Sequence, residues 1–391
     1  MPWPFSRKPA VLVNGEIEES SSSSSTRFAF KLFRELDRTG GVSNLFFSPS
    51  GVMLCLTLVH ELASGETRKA MERVLEISGS TRMQLEAEIV ALKAAFSERI
   101  DATTTCANSL WLSKHVHVAT DLEARLRALY DSELSVLDFE SAGAIATINR
   151  WVSAKTKGKI TRIVNELTPL SALVALNAVY FKAAWTDPFK SVLTRDDTFH
   201  LEDGSTKQLP TMTQSGTYRY HEEEQLQAIC LPYRGSAAMY VILPAAKKDL
   251  PTFRQSLRSG WWESLLPSLK WEEGVIRLPR FKVDYEVQLA EVLSSLGMGR
   301  AFDPHHAEFE HLHTERPPVW IDRVVHRAVA DVNEQGTEAA AATMTQVFCG
   351  LGMNQRPRRL FAMTVDRPFF AVIRDESTKV LQFMGWIGDP E

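Results

Sequence analysis

The chain has 391 residues, 44% hydrophobic and 24% charged, a composition that excludes a disordered or fibrous protein for most of its length. A folded chain of this size can bury roughly three quarters of its surface, so a large core is available. With 44 Lys and Arg against 48 Asp and Glu the net charge is −4, which argues against a nucleic-acid partner, and no apolar run approaches the ~20 residues a membrane span needs.

Residues 1–25 end in Glu18, Glu19 and the run Ser20–Ser25, and read as a mobile polar tail. From Thr26 onward a helical period takes over. Ala29, Leu32, Phe33 and Leu36 share one face and predict a helix over 26–38. Similar amphipathic stretches predict helices at about 50–62, 66–75, 82–98 (Leu85, Ile89, Leu92, Phe96), 120–131 and 143–157. After Leu173 the pattern becomes apolar runs bounded by Gly, Pro and polar turns, and strands are expected at Leu173–Phe181, Met239–Leu243 and Val275–Val283. A helix-rich first half runs into a strand-rich second half with no linker between them. The fold class expected is therefore α+β, as a single domain over 26–391.

The start, Met1–Gly15, carries prolines and the charged Arg7 and Lys8 in place of a continuous apolar segment, and no N-x-S/T sequon occurs. Cys55, Cys106, Cys230 and Cys349 lack CxxC spacing and are too few to staple the chain. These features predict a cytoplasmic protein with reduced thiols, or an extracellular one if the N-terminus is truncated or rebuilt.

A search for enzyme chemistry finds no G-x-S-x-G elbow, no phosphate-binding glycine loop, no H-E-x-x-H pair and no dinucleotide fingerprint, so no enzyme and no cofactor are expected. Asp303, His305, His306, Glu308, Glu310, His311 and His313 form the densest group of potential metal ligands, but their spacing fits no defined site. A polar surface loop without metal is the expectation there.

Residues 331–345 read DVNEQGTEAAAATMT, a turn glycine followed by four alanines, and few large apolar residues follow until Phe361. Taken alone, the stretch from Gly336 to about Phe361 reads as a long exposed loop with a short Ala-rich helix.

The chain around it resembles the serpins over essentially all of residues 26–390. Asn44-Leu-Phe-Phe-Ser-Pro49 and Gly65-Glu-Thr-Arg-Lys-Ala-Met71 are similar to the family's second and third helices. Ile148-Asn-Arg-Trp-Val152 with Lys155-Thr-Lys-Gly-Lys-Ile160 resembles the helix that crosses the main sheet, and Asn177-Ala-Val-Tyr-Phe-Lys182 with Trp185 the central strand. Arg367-Pro-Phe-Phe-Ala371 and Leu381-Gln-Phe-Met-Gly385 resemble the closing strands.

The resemblance implies a helix-rich N-terminal half packed on large sheets, with an exposed reactive-centre loop at about 336–362. It also implies a function: a protease attacks the loop, forms an acyl-enzyme and is trapped as the cleaved loop inserts into the main sheet. The hinge residues so implied are Glu334, Gly336, Thr337, Glu338, Ala339, Ala340, Ala341 and Ala342. Apart from Glu338 the residues that follow Gly336 are small or polar enough to enter between packed strands. Trp185 and Arg280 resemble the residues at the sheet opening, with Arg280 the partner of Glu334. Ser48, Asn177 and His326 resemble the polar cluster where the strands part, from which Gly51 departs by replacing the usual serine.

Two cleavage sites stay open. About fourteen residues on from Gly336 lies Val347-Phe-Cys-Gly-Leu351, with Phe348, Cys349, Gly350 and Leu351 as candidates for a chymotrypsin- or elastase-like protease. Further on lies Arg356-Pro-Arg358-Arg359, suited to a trypsin- or furin-like one, and a cysteine protease is a further possible partner. Residues 336–350 extended at ~3.3 Å each span ~50 Å, about the diameter of the chain, whereas cutting after Arg359 adds ~30 Å of slack. Basic-site cutting should therefore favour substrate behaviour, and a non-inhibitory serpin acting as carrier, chaperone or cleavable ligand is the alternative. Cys349 is either a thiol of no consequence or a site of oxidation. The 82–98 segment and its end mix Arg82, Lys93 and Arg99 with Glu86, Glu88 and Glu98, so no strong glycosaminoglycan site is expected, and the chain should be a monomer.

Overall fold

The helical period from Thr26 is realised as α1 (Ser24–Gly40), which begins two residues earlier because the Ser23 hydroxyl accepts the amide of Thr26 and caps it. Part of the serine run assigned to the tail is thus a helix start. The structure, a computed structural model, describes residues 22–41, 43–97, 102–168, 171–246, 249–314, 318–337 and 360–390. After α1 come β1 (Asn44–Phe47), α2 (Pro49–His60), α3 (Gly65–Val74), α4 (Arg82–Ala95), β2 (Ala102–Ser113), β3 (Val116–Val118), α5 (Thr120–Tyr130), β4 (Glu133–Leu137), α6 (Ala144–Lys155) and β5 (Leu173–Ala184). The second half holds β6 (Arg195–His200), β7 (Thr206–Glu223), β8 (Leu226–Pro232), β9 (Ala237–Pro244), α7 (Leu250–Ser256), α8 (Ser259–Leu265), β10 (Lys270–Pro279), β11 (Phe281–Gln288) and α9 (Ala290–Leu293). It closes with β12 (Leu312–Thr314), β13 (Ile321–Asn333), β14 (Gly336–Thr337), β15 (Phe361–Thr364), β16 (Phe369–Asp375) and β17 (Leu381–Ile387).

Two sheets carry the architecture. A six-stranded one runs β11-β13-β14-β5-β2-β4, and a nine-stranded one runs β1-β17-β16-β9-β8-β7-β10-β15 with β6 on β7. Every residue of α2 is buried, so this helix is apolar all round and lies between the sheets instead of on the surface. β5 is buried on both faces over most of its length, as a central strand must be when α2 covers one side and α6 the other.

Two expectations need correcting. The helix-rich half contains a twelve-residue strand, β2, whose β-branched run Thr103–Thr105 favours extended backbone and which is held between β5 and β4. The run Val275–Val283, expected as one strand, is two. Pro279 brings no amide to a ladder and the Arg280 amide turns to the Pro210 carbonyl at 2.8 Å, so β10 ends in one sheet and β11 starts in the other. No helix among the described residues is long and apolar enough to cross a membrane.

Candidate functional site

The parallel pair β5–β13 forms a seam down the six-stranded sheet, from Ile321 opposite Leu173 past a one-residue irregularity at Asp322, then in register from Arg323 opposite Val174 to Val329 opposite Tyr180. At its head the two strands part and β14 sits between them, Gly336 and Thr337 opposite Ala184 and Ala183 on one side and Asn333 and Val332 on the other. Only glycine fits the first of these positions. Gly336 has φ +143°, and a Cβ there would lie 2.0 Å from the Ala183 carbonyl oxygen. Thr337 is buried and its hydroxyl meets that of Tyr233 at 2.7 Å.

Trp185, at the end of β5, stacks on Tyr233 with ring centroids 4.1 Å apart and donates its indole N–H to the Asn333 carbonyl at 2.9 Å. Its own amide donates to the carbonyl of Gln335, and that of Phe189 to Glu334, each at 2.9 Å. The Glu334 carboxylate receives Arg280 Nε at 2.8 Å, Arg280 Nη2 at 2.5 Å and the Thr194 hydroxyl at 2.5 Å, all on one oxygen. Burial opposes ionisation of Glu334, but the bonds from Arg280 and Thr194 outweigh it and hold the carboxyl below the usual range. The structure thus brings Trp185, Arg280, Glu334, Gly336 and Thr337 together. Thr194 and Tyr233 escaped the sequence reading, since neither stands in a patterned segment that marks its partner.

Ser48, Asn177 and His326 meet half-way down the seam. The Ser48 amide donates to His326 Nε2 at 3.0 Å, and His326 Nδ1 lies 2.6 Å from Asn177 Oδ1. An imidazole that accepts on one nitrogen and donates on the other is neutral, and burial pushes its pKa down to about 3. Asn177 Nδ2 donates to Asn108 Oδ1 at 2.6 Å and to Cys106 Sγ at 3.4 Å, so β2 belongs to the cluster. Cys106 and Asn108 went unnoticed because β2 itself did, although their spacing of two puts them on one face. The departure at Gly51 also has a cause. A Cβ there would lie 2.8 Å from both Asn177 Oδ1 and Val179 Cγ2, so Asn177 fills the space a serine would take and bonds to β2.

Glu338, Ala339, Ala340, Ala341, Ala342, Phe348, Cys349, Gly350, Leu351, Arg356, Arg358 and Arg359 lie outside the described residues. Among the described residues no group of three or more His, Cys, Asp or Glu is arranged to hold a metal. In the 303–313 segment His306 pairs with Asp303 at 2.6 Å, and Glu308 accepts the amides of Glu66 at 2.5 Å and Thr67 at 3.2 Å at the start of α3. That carboxylate is a helix cap.

A two-sheet α+β body in which the seam between two parallel strands opens at one end onto a glycine-led segment is the architecture of the serpins. The family model for Serpin (serine protease inhibitor) matches residues 23–390, and the chain belongs to that family. It is 33% identical to an uncharacterized serpin-like protein of Thermococcus kodakarensis over 97% of this chain and 88% of the relative. Leukocyte elastase inhibitor A of Mus musculus is 30% identical over 95% of this chain and 100% of the relative. The crystal structure of the thermophilic serpin tengpin in the native state superposes with TM-score 0.86 and 25% identity, covering 97% of this chain and 96% of that one.

Proposed function

We propose that this chain is a suicide-substrate inhibitor of serine proteases. The protease serine attacks a carbonyl between Thr337 and Phe361, an ester replaces the peptide bond, and the freed amine stays on the C-terminal piece, which β15, β16 and β17 retain in the nine-stranded sheet. The N-terminal piece, with the acyl-enzyme attached, then enters the seam. The observation that carries this reading is β14: Gly336 and Thr337 already lie between β13 and β5, so continued pairing downward needs no new entry point. After Glu338, Ala339–Ala342 follow in sequence and suit a narrow slot.

Cleavage within Phe348–Leu351 gives the productive length, and Arg356–Arg359 marks a site cut without trapping. That second site favours a second reading, a non-inhibitory serpin consumed as a substrate. We place the protein in a reducing compartment, in keeping with the free thiols of Cys55, Cys106 and Cys230. Incubation with trypsin, chymotrypsin, an elastase and a furin-type convertase tests the reading, followed by denaturing gels and the mass of the released C-terminal peptide. A denaturation-resistant adduct is expected with a chymotrypsin- or elastase-like enzyme. Cleavage with full return of protease activity across the panel sinks the inhibitory reading.

A further inference from the structure

For a strand to enter between β5 and β13 the two must separate by a further strand spacing, about 4.8 Å. The outer face of that seam is covered. Val174, Leu176, Ala178 and Tyr180 of β5 and Val325 and Val329 of β13 form one apolar cluster, on which Ile160, Ile163 and Val164 of the segment after α6 are buried.

This covering segment is fastened on both banks. On the β5 side it is tied to α6, since Asn149 Oδ1 accepts the amides of Ile163 at 2.9 Å and Val164 at 3.0 Å and its Nδ2 donates to the Val164 carbonyl at 2.8 Å. α6 in turn packs Trp151 edge-on against Trp111 of β2 at 6.0 Å, and Lys159 lies 5.7 Å over the ring of Tyr180 in β5. On the β13 side Arg327 Nη1 donates to the Arg162 carbonyl at 2.5 Å, and Arg323 faces Glu166 at 3.8 Å. Arg327 is itself held by β11, with Nε and Nη2 each 2.8 Å from an oxygen of Asp284 and Nη1 3.1 Å from Glu286.

We propose that Arg327, assisted by Arg323, is a latch that ties the 160–167 segment across the β5–β13 seam and limits the rate at which a strand enters it. The proposal rests on the insertion reading given above. α6 and the covering segment move with β2 and β5, whereas Arg327, Asp284 and Glu286 move together with β13 and β11, which pair along the whole of β11. Opening the seam therefore breaks the Arg327–Arg162 bond, while the carboxylates keep the guanidinium aimed at the place where the bond re-forms. Arg327 is a positioning residue that acts through the seam without meeting the protease. The contacts are partly exposed, Arg327 at 21% and Glu166 at 80%, so salt should weaken them.

The test uses the full chain and a synthetic peptide with the sequence of residues 337–346 as a strand donor, with uptake followed over time by native gel and thermal unfolding. Arg327→Gln should take up the peptide about tenfold faster than the wild type, the effect of losing a hydrogen bond from a charged donor. Arg327→Lys, which keeps an ammonium near the Arg162 carbonyl, should restore most of the slow rate. Glu166→Gln, at an exposed position that leaves the fold intact, should speed uptake about twofold. Raising salt about tenfold should accelerate the wild type, and should accelerate Arg327→Gln less, through the remaining Arg323–Glu166 pair alone. Wild-type uptake with no acceleration in Arg327→Gln and Glu166→Gln overturns the latch alone. A wild type that never takes up the peptide overturns the insertion reading, and the latch with it.

Discussion

At the head of the seam the side chain of Glu334 is 5% exposed and that of Arg280 44%, so the bond that closes it is an ion pair with one partner in water. Half-way down, Ser48, Asn177 and His326 are 0%, 1% and 0% exposed and join the strands through uncharged hydrogen bonds. The difference sets an order of events. Water and ions can compete for the Arg280–Glu334 contact one bond at a time, whereas the middle gives way only when buried groups lose their partners together. A two-residue strand already occupies the head and none occupies the middle, which is the arrangement expected if separation starts at the loosely held end and stalls at the tightly held one.

The largest effect is expected at the middle. His326→Leu leaves the Ser48 amide and Asn177 Oδ1 buried without partners, at about 1–3 kcal/mol for each, and should lower the unfolding free energy by ~2–6 kcal/mol in urea titrations. A variant as stable as the wild type breaks the contrast between the two regions.

Acid sharpens the same contrast. Unfolded, the imidazole takes up a proton near pH 6.5, whereas in the folded chain burial delays this to about 3. Between those values the unfolded state binds the extra proton, so the stabilisation is complete above pH 6.5 and declines as pH falls, by up to ~1.4 kcal/mol per unit. His60, pushed down by burial as well, adds in the same direction. The carboxyl of Glu334 lies below its ordinary 4.5, so the head keeps its charge over the upper part of this window. Urea titrations at pH 7, 6 and 5 should show a progressive loss in the wild type and a shallower slope in His326→Leu. Parallel slopes in the two proteins would remove His326 as the source.

Much of this was legible in the sequence. The period of Ala29, Leu32, Phe33 and Leu36 marks α1, and Leu173–Phe181 marks the central strand, because burial on one stripe or on both faces leaves a pattern in the residues themselves. Glu334, Arg280, Asn177 and His326 came from resemblance, since partners separated by 54 and 149 positions carry no local signal. What stayed hidden were groups whose role is set by the neighbour they meet. Thr194 is an ordinary turn threonine until Glu334 lies against it. Cys106 and Asn108 sit in a stretch too polar to suggest a buried strand; Asn108 is buried and Cys106 half-buried, and the Asn177 amide satisfies both. The break at Arg280 was missed for a similar reason, because a change of sheet is a tertiary event that leaves only Pro279 as its trace.

Of the two regions, the smaller effect is expected at the head. Arg280→Ala removes the partner of a buried carboxylate and keeps the Thr194 bond, which should cost ~1–2 kcal/mol at neutral pH, more than a surface pair and less than the loss of His326. The cost comes from leaving Glu334 charged and undercompensated, so adding Glu334→Gln to Arg280→Ala should recover most of the stability, as a neutral amide can still accept the Thr194 hydroxyl. Without Arg280 the burial that already opposes ionisation of Glu334 meets less resistance, its pKa rises, and the defect should shrink as pH falls into the carboxylate range. Urea titrations of the single and double variants at neutral and mildly acid pH read this directly. A double variant no more stable than Arg280→Ala, or a defect that persists unchanged in acid, would mean that Arg280 supports the head through its aliphatic stem, and the contrast between a charged head and a neutral middle would then fail.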